Sequence, residues 1–167
     1  MLGPIVQLPR ILIIGRQGTG KSTLGNYLAA QNESWRSVAV SDVIIEWFAG
    51  RLGATEEAIK ASKKHYRPAL IRLTEELTTT NPGFFVRNAL QRANVVNGVR
   101  RNEEFEVVRL WFDLTVHIFR CPTLEDGPDN YNISREMAES CHFQVRNDGD
   151  DLRFLERIAQ SISQRLR

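Results

Sequence analysis

Eight consecutive residues, Gly15-Arg16-Gln17-Gly18-Thr19-Gly20-Lys21-Ser22, carry the clearest chemistry in this sequence. They fit G-x-x-x-x-G-K-[ST] at every fixed position. Glycines at those places let the backbone wrap close to an anion, so that successive N–H groups point inward. A helix that starts at the end of the loop adds the positive end of its dipole. Lys21 brings an ammonium on a flexible stem, suited to the β- and γ-phosphates of ATP or GTP. Ser22 offers a hydroxyl ligand for Mg²⁺.

Such a loop works only between a strand and a helix, and the flanking sequence supplies both. Ile11-Leu12-Ile13-Ile14 is a continuous apolar run bounded by Pro9 and the loop, as in a strand buried on both faces. A helix is expected from about Lys21 to Ala30, with Leu24, Tyr27 and Leu28 on one face. Further strands are expected at Ser37–Val40, Asn94–Asn97, Leu114–Phe119 and His142–Val145. Ser41 or Asp42 is placed to cap the helix that follows the second strand. Strands alternating with helical patterns predict an α/β sheet covered on both faces.

Residues 55–91 read as helical throughout, broken at Asn81-Pro82-Gly83. That stretch is either a substrate-binding insertion or plain helical cover for the sheet. The polar stretch from Cys121 to Arg135 contains two prolines and a glycine and is expected to be a mobile lid. Asp151–Leu166 is the closing helix. The chain is read as one domain over 1–167.

Composition removes several classes. A formal charge of +2 gives no strong signal for nucleic acid or membrane as a partner. Two cysteines, Cys121 and Cys141, have no zinc spacing and make no disulfide framework. No apolar run reaches the length of a membrane span, and MLGPIVQLPR is too short and Pro-interrupted for a signal peptide. A cytoplasmic protein is the default expectation. His65, His117 and His142 lack ligand spacing and are read as structural.

The segment GRQGTGKSTLGNYLA, including Thr23, resembles the start of nucleoside monophosphate kinases, where G-x-x-G-x-G-K-S-T is common. VVNGVRRNEEFEVVR resembles the V-V-x-D-G-V-R-x-x-E-E stretch of adenylate-kinase-like and dephospho-CoA-kinase-like proteins. It also resembles the D-V-R-x-x-N-E stretch of phage-type deoxynucleoside monophosphate kinases. HYRPALIRLTEELTTTNPGFFVRNAL and the tail ISREMAESCHFQVRNDGDDLRFLERI are similar to the substrate-side helices and the ending of that phage-type group. The resemblance spans nearly the whole chain. It implies a five-stranded parallel sheet in the order 2-3-1-4-5, the cytoplasm (a host's, if the chain is of phage origin), and ATP-dependent transfer to a nucleotide acceptor.

The resemblance also implies roles. Arg100 would bridge donor and acceptor phosphates, and Arg67 would bind the acceptor phosphate. Arg120 would lie by the adenine, Asn147 and its neighbours would line the purine, and Arg135 would edge the lid. The acid that the family has at the end of the third strand is missing, with Asn97 or Gly98 in its place. Asp42 is then the remaining carboxylate for the metal shell. It is also a candidate base for a hydroxyl acceptor such as dephospho-CoA or a nucleoside, although Ile45 replaces the family's arginine partner. A nucleotide-binding regulatory protein with little turnover is the alternative outside the enzymes.

Overall fold

The computed structural model describes residues 8–121, 133–149 and 151–166. At its centre lies β1 (Ile11–Ile14), with all of its side chains fully buried. A strand without a polar face needs cover on both sides, and alternation along the chain divides that cover. Ile11 and Ile13 join a core with Leu24, Leu28, Leu155 and Ile162. Leu12 and Ile14 join a second core with Val43, Phe85, Val86 and Phe105. The first core is closed by α1 (Lys21–Ala29) and α8 (Leu152–Arg165). The second is closed by α2 (Val40–Leu52), α5 (Phe84–Leu90) and α6 (Asn102–Val108).

Four strands flank β1 or its neighbours: β2 (Ser37–Ala39), β3 (Val95–Asn97), β4 (Leu114–Phe119) and β5 (Phe143–Arg146). All pair in parallel, and the order is β2-β3-β1-β4-β5. The register sets Ile13 beside Asn97 and Val116, so β1 and β3 end within a residue of each other at the phosphate loop, and β4 runs two residues further. Open parallel sheets bind ligands at this edge.

The 55–91 stretch divides between the two roles considered for it. Helix α5 covers the sheet through Phe85, Val86 and Ala89. Before it, α3 (Glu56–Ala61) and α4 (Lys63–Thr80) build a separate apolar cluster away from the sheet. Ile59, Leu70 and Leu73 pack there against Ile45 and Phe48 of α2. This cluster holds α4 across from the phosphate loop. Thr55 begins α3 by accepting a hydrogen bond from the Ala58 N–H.

One boundary differs from expectation, with a consequence for the site. Neither Ser41 nor Asp42 caps α2: the helix starts at Val40, with Ala39 at its N-cap and no side-chain cap. Ser41, Ile44 and Ile45 then share one helix face, and Asp42 is turned about 100° away from Ser41. The expected lid falls mostly on 122–132, outside the described residues; Arg135 opens α7 (Arg135–Glu139).

Candidate active site

The phosphate loop runs from Gly15 to Ser22, between β1 and α1. Two of its glycines, Gly15 and Gly20, are required by space. A Cβ on Gly15 would fall 2.3 Å from the Ile118 carbonyl oxygen. Gly20, the N-cap of α1, has φ 101°, and a Cβ there would meet Asn147 Nδ2 at 2.8 Å and Leu155 Cδ1 at 3.1 Å. Gly20→Ala is therefore expected to destabilise the fold by about 1–3 kcal/mol, from left-handed strain and overpacking together. It should also weaken ATP-analogue binding. Chemical denaturation and equilibrium binding measured side by side would check both; an alanine variant as stable as the parent would contradict the strain argument.

Three side chains tie the loop to itself and to β5. Lys21 Nζ donates to the Arg16 carbonyl at 2.6 Å, and Thr19 Oγ1 donates to the same oxygen at 2.9 Å. Asn147 Nδ2, just past β5, donates to the Thr19 carbonyl at 2.8 Å in a fully buried contact. The clamp by Asn147 was not legible in the sequence, where resemblance gave this residue a place along the purine. Next to it, Asp148 Oδ1 accepts from the Cys121 N–H at 2.8 Å, fixing the chain where it leaves β4.

A cavity of about 900 Å³ opens beside the loop, in the size range of small-molecule sites. The loop contributes Gln17, Gly18, Lys21 and Ser22 to it. Helix α4 faces them with Lys63, Lys64 and Arg67; the last residue of β3, Asn97, and its connection to α6, with Arg100 and Arg101, complete this polar lining. Ile44, Ile45, Leu70, Ile71 and Phe85 form apolar walls. The carboxylate on this wall is Glu104, and it was not singled out in the sequence.

Charge is unevenly distributed in this cavity. Lys21 is 8% exposed; burial, and then the Arg100 guanidinium, bring its ammonium down to about 8. A phosphate bound in the loop would supply the missing counter-charge and raise it again. Burial pushes the Glu104 carboxyl up to about 7, against the pull of the Arg101 guanidinium. Arg101 itself reaches toward the last turns of α4: its Nη1 donates to Thr78 Oγ1 at 3.4 Å and its Nη2 lies 3.8 Å from Glu75. Arg100 thus belongs with Lys21, and Glu104 with Arg101 and the far half of α4.

The sequence candidates separate accordingly. Lys21, Ser22, Gln17, Gly18, Arg67 and Arg100 come together on the cavity. Gly15, Thr19, Gly20 and Thr23 build the loop and the first turn of α1 behind them. Asp42 is not among the lining residues, and its carboxylate lies 3.7 Å from Lys60 Nζ of α3. Arg120 follows β4 and does not line this cavity; its Nε is buried without a hydrogen-bond partner among the described residues. Arg135 points outward to Glu139, 85% exposed.

For Mg²⁺ the donor set is sparse. No group of three or more His, Cys, Asp or Glu side chains suited to a metal occurs among the described residues. Ser22 is exposed in the loop, and Asn97 is buried with its amide donating to the Val38 carbonyl at 3.4 Å. Magnesium is commonly held by one or two protein groups, with substrate phosphates and water completing the shell. Ser22 fits that arrangement when a nucleotide brings the phosphates.

The parallel sheet in the order 2-3-1-4-5, with the glycine-rich phosphate loop between β1 and α1, defines an α/β fold of the P-loop NTPase type. No family model matches the sequence, and no curated protein matches it. Among solved structures, the chain is similar to shikimate kinase from Aquifex aeolicus, with 16% identity, a TM-score of 0.49, and coverage of 93% of this chain and 97% of that one. It is also similar to a putative kinase from Chloroflexus aurantiacus, with 13% identity, a TM-score of 0.49, and coverage of 96% and 97%. These values transfer no chemistry to the present chain. No helix among the described residues is long and apolar enough to cross a membrane.

Proposed function

We propose that this chain moves the γ-phosphoryl group of ATP (or GTP) onto a nucleoside monophosphate, ribo or deoxy. The observation that carries the reading is one cavity lined both by Lys21 and Ser22 of the phosphate loop and by Arg67 and Arg100 opposite them. The loop side suits the donor triphosphate, and the arginines suit the acceptor phosphate. An oxygen of the acceptor phosphate attacks the γ-phosphorus, the bond to the bridging oxygen breaks, and the nucleoside diphosphate leaves. The nucleophile is already an anion, so no strong base is needed and catalysis rests on positioning and charge neutralisation. Lys21 holds the β- and γ-phosphates, and Arg100 stabilises charge between donor and acceptor. Ser22 would hold a magnesium ion together with the phosphate oxygens, where its charge neutralises the transferring group.

A hydroxyl acceptor would call for a base beside the transferring group. Asp42 pairs with Lys60 outside the cavity, and Glu104 keeps company with Arg101 rather than Lys21. Both placements favour a phosphate acceptor. Asn97 supports a second reading, a nucleotide-binding protein with little turnover, because a neutral amide stands where a metal-shell acid would supply charge. Radiolabelled γ-phosphoryl transfer across monophosphates, dephospho-CoA and nucleosides separates the readings. Transfer to a monophosphate is the expected result, and Arg100→Ala should lower it by about 10²–10³-fold. ATP-analogue binding without transfer to any acceptor would leave the second reading standing.

A further inference from the structure

We infer that Glu104 selects the acceptor by accepting two parallel hydrogen bonds from adjacent N–H donors on a flat ring, the edge that guanine presents. The inference rests on the reading of this cavity as the acceptor's site and adds the identity of the acceptor to it.

The cavity lining combines two kinds of chemistry. Lys21, Arg67 and Arg100 are cations suited to phosphate. One turn beyond Arg67 on α4, Leu70 and Ile71 give apolar surface that, with Phe85, suits the faces of a ring. Glu104 lines the same cavity, 9% exposed and next to Arg101. Among the described residues no hydrogen bond reaches its carboxyl group, while Arg101 is engaged with Thr78 and Glu75. A buried carboxylate costs stability unless its oxygens find donors, and here the open direction is the cavity.

An ionised carboxylate is acceptor-only, with two oxygens spaced to receive two parallel N–H bonds, as they do from an arginine fork. Guanine offers such a pair in its ring N1–H and its exocyclic amine. Adenine and cytosine set an amine beside a ring acceptor, and uracil and thymine flank one N–H with two carbonyls. Each of these leaves a carboxylate oxygen facing a lone pair or no donor. A monophosphate with its phosphate on Arg67 and Arg100 and a guanine edge on Glu104 would satisfy the cations and the carboxylate together.

The test is equilibrium binding of GMP, IMP, AMP, CMP and UMP to the full chain saturated with a non-hydrolysable ATP analogue, for parent and Glu104→Gln. GMP should bind at least roughly tenfold tighter than every other base, the scale of one bidentate pair. IMP, which keeps the ring N–H but lacks the amine, should fall with the weak binders, and Glu104→Gln should erase the preference. ATP-analogue affinity of the variant reports its folding. Equal binding of all five by the parent, or a guanine preference that survives Glu104→Gln, overturns the inference. The kinase reading is judged separately by γ-phosphoryl transfer to the tightest-binding monophosphate. Absence of transfer with the guanine preference intact refutes that reading and leaves the role of Glu104 in place.

Discussion

Lys21→Met is expected to lower phosphoryl transfer by about 10²–10³-fold, the scale of removing one preorganised donor to developing charge. It should leave the fold intact. In the ligand-free chain Lys21 is buried, its ammonium leans on the Arg16 carbonyl, and Arg100 is its charged neighbour. Burial and Arg100 hold it down at about 8, from an ordinary value of 10.5. A lowered lysine binds its proton less tightly in the folded state than in the unfolded one. Folding therefore carries a penalty below pH 8 that fades as the pH rises toward 10.5. Methionine keeps the length and apolar character of the stem and removes that penalty, so the variant should melt at or above the parent's temperature at pH 7. A circular-dichroism melt, analogue binding and transfer kinetics on the same preparation would decide the matter. A methionine variant that binds and transfers like the parent would end the assignment of the loop.

What the sequence disclosed, and what it withheld, follows from the range of the signals. The phosphate loop is local: its spacing, the apolar run of Ile11–Ile14 and the amphipathic start of α1 all lie within 20 residues, so it was legible outright. Strand positions were legible to within a residue because buried parallel strands are apolar runs. Their order was not a matter of pattern and came from resemblance. The start of α2 shows how a small boundary error propagates. Expecting a side-chain cap at Ser41 or Asp42 shifted the start of α2, and each residue of shift rotates a side chain by about 100°. The cleft received Ser41, Ile44 and Ile45 instead. Glu103 and Glu104 are indistinguishable as letters in the first turn of α6. The structure buries Glu104 with Phe105 and Val108 and leaves Glu103 exposed. The apolar spacing of Phe105 and Val108 was the signal that could have placed Glu104 inward. Asn147 depended on a contact with Thr19 across 128 positions, which no local pattern encodes.

Glu104→Gln is expected to make the ligand-free protein more stable, and only above a certain pH. Burial raises the Glu104 carboxyl from an ordinary 4.5 to about 7, with Arg101 pulling the other way. The folded state thus holds this proton more tightly than the unfolded state. The stability it contributes is fully present below pH 4.5 and is lost as the pH climbs through 7. Above pH 7 the parent carries a buried carboxylate whose cost is on the order of 3 kcal/mol, from roughly 1.4 kcal/mol per pH unit of displacement. Glutamine has nearly the same shape and no charge, so it avoids that cost. Thermal melts from pH 4.5 to 8 should show parent and variant together at the acid end. At pH 8 the variant should melt higher by about 2–4 °C for each kcal/mol. Arg101 is the charged group acting on Glu104, and parent and variant differ only at this carboxyl, so the divergence between their curves belongs to Glu104. Saturating GMP should narrow the gap, because it stabilises the parent by binding and gives the carboxylate its donors. Parallel melting curves over the whole range would show that Glu104 is not held in a destabilised state, and would remove the reason for expecting a ligand to satisfy it. Divergence that GMP closes and AMP does not would tie the lost stability to the selection of the acceptor. A residue costly to the empty fold and rewarded only by one ligand edge is the pattern expected of a group kept for binding rather than for folding.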